Sequence, residues 1–141
     1  MKKGQLSFDM LITLIIAVIV ISAFTQLIIT IKTNQETVLI KDQLKTIAEK
    51  TANLITTTQT LEGTNYFIET KISKINYADA NGLNKKTYPK ILIEDNNKII
   101  FYEILPTGEK IDANAYFYKP VKTQIITDKV STSGILTIKN T

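Results

Sequence analysis

The chain of 141 residues carries 17 lysines against 13 acidic residues, giving a net charge of +4, and it contains no arginine, histidine, cysteine or tryptophan. Without cysteine or histidine it has no thiol nucleophile, imidazole base, disulfide or zinc cluster, and no paired-carboxylate or serine–lysine signature replaces them. We therefore expect no enzyme activity, no cofactor and no metal site. The lysines are scattered among the acids rather than clustered, so nucleic acid is not an expected partner.

The N-terminal region contains an uncharged run of 22 residues, from Met10 to Ile31. At about 1.5 Å per residue, a helix of this length extends about 33 Å, enough to cross a hydrocarbon core of about 30 Å. In lipid the backbone polar groups must be satisfied within the segment, so a helix is the expected conformation. Because Lys2 and Lys3 precede the run, the positive-inside rule predicts a cytoplasmic N-terminus, with the bulk of the protein on the outer side of the membrane.

The stretch KKGQLSFDMLI, residues 2–12, combines two lysines, a glycine, a carboxylate and the start of the apolar run. In this order it resembles the class III signal peptide of archaeal type IV pilin-like proteins. The resemblance implies that a membrane prepilin peptidase recognises Lys2, Lys3 and Gly4 and cleaves between Gly4 and Gln5. Asp9 then becomes the fifth mature residue, where type IV pilins usually carry the longer glutamate.

Asp9 is a carboxylate at the edge of a membrane-spanning segment. Insertion of a charge costs roughly 2 to 3 kcal/mol near the bilayer interior and less toward the interface. Cleavage exposes the α-amino group of Gln5, and a neighbouring subunit could place its Asp9 beside that cation. Pairing would offset the desolvation of both charges, so Gln5 and Asp9 are the candidate assembly residues. In the simpler interpretation, Asp9 is an interfacial acid favoured by the helix dipole.

The resemblance implies a structural subunit of a surface filament that serves adhesion. It is held in the membrane as a single-pass protein before assembly and lies in an extracellular filament afterwards. The implied partners are the membrane, the prepilin peptidase, other pilin subunits, an assembly ATPase and a membrane platform protein. Three alternatives stay open at this point: an archaellin-like subunit, an uncleaved single-span anchor that displays a β-domain as a binding module, and a hydrolase that uses carboxylates.

Beyond Lys32 the helical pattern continues but becomes one-sided, because apolar residues recur every three or four positions among charged ones. These residues are Ile40, Leu44, Ile47, Ala48, Leu54 and Ile55. We predict a leader at 1–4, an apolar transmembrane or filament-core helix at 5–31 and an amphipathic continuation at 32–62. The run Thr56–Thr58 and Gly63 are expected to end the helix. The amphipathic stretch should pack against the protein's own β-domain.

Residues 63–141 are predicted to form an extracytoplasmic β-rich domain with five or six antiparallel strands, which makes the fold class α+β. The resemblance of residues 2–12 implies that this fold is type IV pilin-like. A hairpin is expected around a tight turn at Asn96–Asn97, and a β-turn at Leu105–Gly108. The segment Ala78–Pro89 contains turn formers without apolar periodicity, so we expect a surface loop that lacks the order of a calcium loop. Tyr116 and Tyr118 share one strand face; an exposed contact surface is possible, but such a pair more often lies in the core.

Overall fold

The structure is a computed structural model that describes residues 3–58, 65–78, 83–95, 97–118 and 123–140. It confirms the α+β layout, in which one long N-terminal apolar helix is followed by small antiparallel sheets. The chain divides into two compact units, the first ending at Gln35 and the second beginning at Glu36.

Helix α1 extends from Lys3 to Thr57, 55 residues in all. It contains no proline, and its single glycine lies in the first turn, so nothing in its interior interrupts the backbone hydrogen bonds. At the C-terminal end the hydroxyl of Thr58 donates to the carbonyl of Ile55 at 2.6 Å. The helix thus ends in the threonine run, as expected, and before the predicted bound of the amphipathic continuation at residue 62. Residues 59–62 and Gly63 lie outside the described residues.

Eight strands are present in the described residues, so the predicted five or six was too low. Their bounds are β1 Phe67–Lys71, β2 Ile75–Ala78, β3 Asn84–Thr87, β4 Lys90–Glu94, β5 Lys98–Ile104, β6 Lys110–Tyr116, β7 Thr123–Ile126 and β8 Ile135–Asn140, with a short helix α2, Val130–Ser133, before β8. All pairings are antiparallel. The strands form three sheets: sheet A in the order β1-β8-β7, sheet B as β2-β3, and sheet C in the order β4-β5-β6.

The prediction of a loop over Ala78–Pro89 was wrong for Asn84–Thr87, which forms strand β3 against β2. The strand has no alternating apolar pattern because its side chains are largely exposed. Backbone hydrogen bonds to β2, rather than burial of side chains, hold it in place. Within that segment, residues 79–82 lie outside the described residues.

The predicted hairpin is confirmed, but its turn differs from the expectation. Glu94 is opposite Lys98, so three residues connect β4 to β5. Of the two turn residues that the structure describes, Asp95 has a positive φ of 52°. Aspartate tolerates this left-handed conformation almost as well as asparagine. Asn96 lies outside the described residues.

Two glycines lie at chain reversals of the β-domain, one in a turn that the sequence predicted and one at the end of α2, which it did not. In the predicted turn at Leu105–Gly108, the Gly108 N–H donates to the Leu105 carbonyl at 2.8 Å. Gly134 ends α2 with a φ of 72°, and a Cβ at this position would lie 2.2 Å from the Tyr88 ring. Position 134 therefore requires glycine for both its backbone conformation and its space.

Candidate functional site

The predicted processing site lies at the start of α1. Lys3 is the first residue of the helix, and the Gly4–Gln5 peptide bond falls in its first turn; Lys2 lies outside the described residues. The first four N–H groups of a helix have no intrahelical acceptor, so this turn is the one that unwinds at the lowest cost. Exposing the predicted scissile bond to a peptidase therefore requires little loss of helix structure.

Asp9 lies four residues after Gln5 on the same helix, which places it one turn further along the same face. Its side chain is exposed, and its backbone carbonyl accepts a hydrogen bond from the Thr13 hydroxyl at 2.8 Å. Within the part of the chain that the structure describes, no ion pair is formed by the Asp9 carboxylate. The carboxylate is thus available to a group outside this chain.

The helix around and beyond Asp9 presents an extensive apolar surface. It is long and apolar enough to anchor in a membrane, and none of its most apolar 18-residue window is buried. The exposed large apolar residues of this segment are Phe8, Met10, Leu11, Ile12, Leu14, Ile15, Ile16, Val18, Ile19, Val20, Ile21, Phe24, Leu27, Ile28, Ile29 and Ile31. Monomeric soluble proteins rarely expose a contiguous apolar surface of this extent, so this surface indicates an apolar environment.

From Thr13 to Thr33, the side-chain hydroxyl groups of helix α1 are satisfied within the helix. Each donates to the carbonyl four residues earlier, over 2.7 to 3.0 Å. The pairs are Thr13 with Asp9, Ser22 with Val18, Thr25 with Ile21, Thr30 with Gln26 and Thr33 with Ile29. A hydroxyl bonded in this way needs no partner from water, so these residues are compatible with lipid or with a bundle of helices.

The second part of α1 contributes one face to the core of the β-domain, as the spacing of its apolar residues predicts. Buried positions on this face are Ile40, Leu44, Ile47, Ala48, Ala52 and Ile55, while Leu54 is partly buried against them. The sheets contribute Ile75, Ile99, Phe101, Ile111, Leu136 and Ile138 to the same core. The helix thus serves as a structural layer of the β-domain.

A contact that the sequence did not reveal ties α1 to sheet B. The Gln43 side-chain amide donates to the Asn76 carbonyl at 3.1 Å, and its oxygen accepts from the Asn76 N–H at 2.8 Å. A glutamine amide carries a donor and an acceptor in the spacing of a backbone peptide, so it satisfies the outer edge of β2 as a neighbouring strand would. No sequence signal distinguishes Gln43 from the other polar residues of this stretch.

Glu103 is the only buried acidic residue among those that the structure describes. It lies on the inner face of β5, opposite Ile111 of β6. Burial raises the pKa of its carboxyl, and the charges of Lys90 and Lys85 and the Ile104 N–H oppose that rise without reversing it. Sequence reasoning missed this group because its neighbours are remote along the chain.

Tyr116 and Tyr118 are exposed, at 70% and 56% of their surfaces, so the expectation that they lie in the core was wrong. Strand β6 alternates as predicted, with Ile111 and Ala113 buried, but Tyr116 belongs to its outer face and Tyr118 lies beyond its end. In the described ranges no group of three or more acidic side chains could hold a metal ion.

The chain was compared with protein-family models, with curated proteins and with solved structures, and no match was found in any of the three comparisons.

Proposed function

We propose that this chain is a type IV pilin-like subunit that is inserted in a membrane, trimmed after Gly4 and assembled into a surface filament. One observation carries the proposal: helix α1 leaves the large apolar side chains of its first part exposed and buries one face of its second part in the core of the β-domain. A helix of this kind holds a folded domain and an apolar polymerisation segment on one continuous element.

The proposed assembly exchanges one apolar environment for another. Lipid tails and neighbouring pilin helices are about equally apolar, so a helix that leaves the bilayer for a bundle loses little hydrophobic free energy and gains side-chain packing. An assembly ATPase acting through a membrane platform protein need supply only a modest driving force. The internally bonded hydroxyls of the apolar segment suit both environments.

Asp9 has a specific role in this proposal. After the prepilin peptidase has removed residues 1–4, the new α-amino group of Gln5 lies at the tip of the helix. Asp9 of an adjacent subunit, displaced along the filament axis, pairs with that cation within the apolar core. The exposed carboxylate of Asp9 supports this assignment. A charged group at the edge of a membrane-spanning helix costs free energy on insertion, and an ion pair with a neighbouring subunit offsets that cost.

Fractionation of natively expressing cells tests the filament assignment. Mechanical shearing should release the chain into a filament fraction, with a remaining pool in the membrane. If the chain stays entirely in the membrane fraction under conditions that shear other surface filaments, the filament proposal is overturned in favour of a single-span anchor that displays the β-domain. The exposed Tyr116 and Tyr118 are the observation that favours this second candidate.

A further inference from the structure

Strand β6 is an edge of sheet C with an open side. The Phe117 N–H donates to the carbonyl of Asn97, the residue just before β5, at 2.8 Å. With the observed register, the odd-numbered residues of β6 are therefore the ones whose backbone groups bond to β5. Backbone groups alternate in direction along a strand, so Asp112, Asn114 and Tyr116 direct their N–H and C=O groups away from the sheet. No strand pairs with this side in the ranges that the structure describes. Beyond the end of β6, the N–H of Tyr118, which faces the same side, donates to the Thr56 hydroxyl of α1 at 3.2 Å.

This edge lacks the features that usually prevent strands from pairing with other chains. Strand β3 presents two exposed lysines, Lys85 and Lys86, on its short edge, and charges of this kind oppose pairing. Strand β6 is seven residues long, has no proline and no residue with positive φ, and carries a lysine only at its first position, Lys110. Of these two edges, that of β6 is the one suited to accept another strand.

We propose that β6 pairs antiparallel with β6 of a second copy of this chain, with Ala113 opposite Ala113. An antiparallel pair of identical strands requires residues of the same parity to be opposite one another, which allows registers centred at 112, 113 or 114. Only the register centred at Ala113 pairs all seven residues, Lys110 to Tyr116. The other two pair five residues each, and the register centred at 112 places Asp112 opposite itself.

The side chains are complementary in the proposed register. On the outer face, Asp112 is opposite Asn114 of the second copy, and Lys110 is opposite Tyr116 of the second copy. On the inner face, Ile111 is opposite Ala115 of the second copy. The Asn114 amide can donate a hydrogen bond to the Asp112 carboxylate of the second copy. The Lys110 ammonium can lie over the Tyr116 ring of the second copy, as it lies 4.6 Å from the centre of the Tyr102 ring in its own chain. No residues of like charge are opposite one another. Charge and size therefore favour a second copy of this chain as the occupant.

The proposed pairing goes beyond filament assembly through the helix. A two-fold contact closes on itself and joins two copies only, whereas polymerisation requires a contact that repeats from subunit to subunit. The pairing of β6 therefore joins two membrane-anchored copies or two filaments laterally, and it uses none of the residues assigned to processing or assembly.

Cysteine cross-linking tests the register, because the chain contains no cysteine of its own. In the proposed pair the two Ala113 residues form a non-hydrogen-bonded pair with Cα atoms about 4.5 Å apart, within the range of a disulfide. We expect the full-length Ala113→Cys variant in detergent micelles to form a disulfide-linked dimer under mild oxidation. Lys86→Cys on the β3 edge should stay monomeric. Equal cross-linking of both variants, or none at Ala113→Cys in protein with an unchanged circular dichroism spectrum, would overturn the proposal.

Two substitutions of opposite charge at Asn114 provide a second test. In the proposed register each dimer has two contacts between residues 112 and 114, so Asn114→Asp opposes like charges twice and Asn114→Lys introduces two attractive pairs. We expect sedimentation equilibrium at low salt to give dimer association weakened by roughly 2- to 30-fold for Asn114→Asp and strengthened for Asn114→Lys. Equal weakening by both would indicate residue 114 opposite itself and would overturn the register. Neither variant changes Gln5 or Asp9, so both should be processed and released from the cell like the wild type. A wild-type chain that is neither processed nor released would refute the filament proposal and leave the dimer measurement unaffected.

Discussion

The two parts of helix α1, before and after Gln35, have the same secondary structure and opposite environments. In the first part, large apolar side chains such as Leu27 remain about half exposed, while in the second part Leu44 is fully buried in the core of the β-domain. A helix in water obtains most of its stability from packing of an apolar face, as the second part does. Among the residues that the structure describes, the first part has no buried apolar face, and we propose that lipid or other copies of the chain cover it.

The largest expected effect comes from Asp9, in the exposed part. If Asp9 pairs with the α-amino group of Gln5 in a neighbouring subunit, Asp9→Ala leaves an unpaired ammonium in an apolar core, a loss on the order of 3 to 5 kcal/mol. We expect filament release to be abolished while membrane insertion and cleavage after Gly4 continue. Asp9→Glu should be tolerated, because it extends the carboxylate by one methylene group.

The control for this prediction is the state of the N-terminus. Cleaved Asp9→Ala protein that forms normal filaments, with Gln5 confirmed as a free amine by mass spectrometry, would remove the pairing mechanism. It would leave the assignment of the chain as a filament subunit in place.

Matched leucine substitutions test the comparison between the two parts directly. Leu44→Ala creates a cavity in the core, so we expect the β-domain to lose about 2 to 5 kcal/mol of unfolding free energy. Leu27→Ala removes the same atoms from a side chain that is 54% exposed and should change this quantity by less than about 0.5 kcal/mol. Denaturant unfolding of the full chain in detergent micelles measures both; equal losses would contradict the division of roles.

Much of this organisation was predictable from the sequence. The apolar run predicts the first part of helix α1, and the three- and four-residue spacing from Ile40 to Ile55 predicts the buried face of its second part. The alternation of apolar and polar residues predicts strand β6. Strand β3 was not predictable, since its stability comes from backbone pairing with β2. The buried carboxyl of Glu103 and the contact of Gln43 depend on residues distant in sequence, which local patterns cannot identify.

Matched glutamine substitutions address the smaller polar contribution of the second part. Gln43→Ala removes both hydrogen bonds to Asn76, so we expect a loss of about 1 to 2 kcal/mol in unfolding free energy. Gln26→Ala, in the apolar part, should leave the stability of the β-domain unchanged. Hydrogen exchange at β2 and β3 measured on both variants locates the effect, and unaltered protection in Gln43→Ala would refute a role for this contact.

The smallest expected effect is the pH dependence that Glu103 gives to the β-domain. Because its folded-state pKa lies above the ordinary value of 4.5, its contribution to stability is fully present below that value and is lost as the pH rises through the folded-state pKa. We expect Glu103→Gln to raise the thermal midpoint at neutral pH and to reduce the gain on acidification toward pH 4.5. Glu109→Gln, at an exposed position, is the control; identical pH profiles for wild type and Glu103→Gln would contradict the prediction.

The central claim, that this chain is a processed filament subunit, is tested most directly by the intact mass of the natively expressed mature protein. Processing after Gly4 removes two of the 17 lysines and none of the 13 acids, so the net charge falls from +4 to +2. We predict a mature chain that begins at Gln5. A mature chain that begins at Met1 or Lys2 would contradict it.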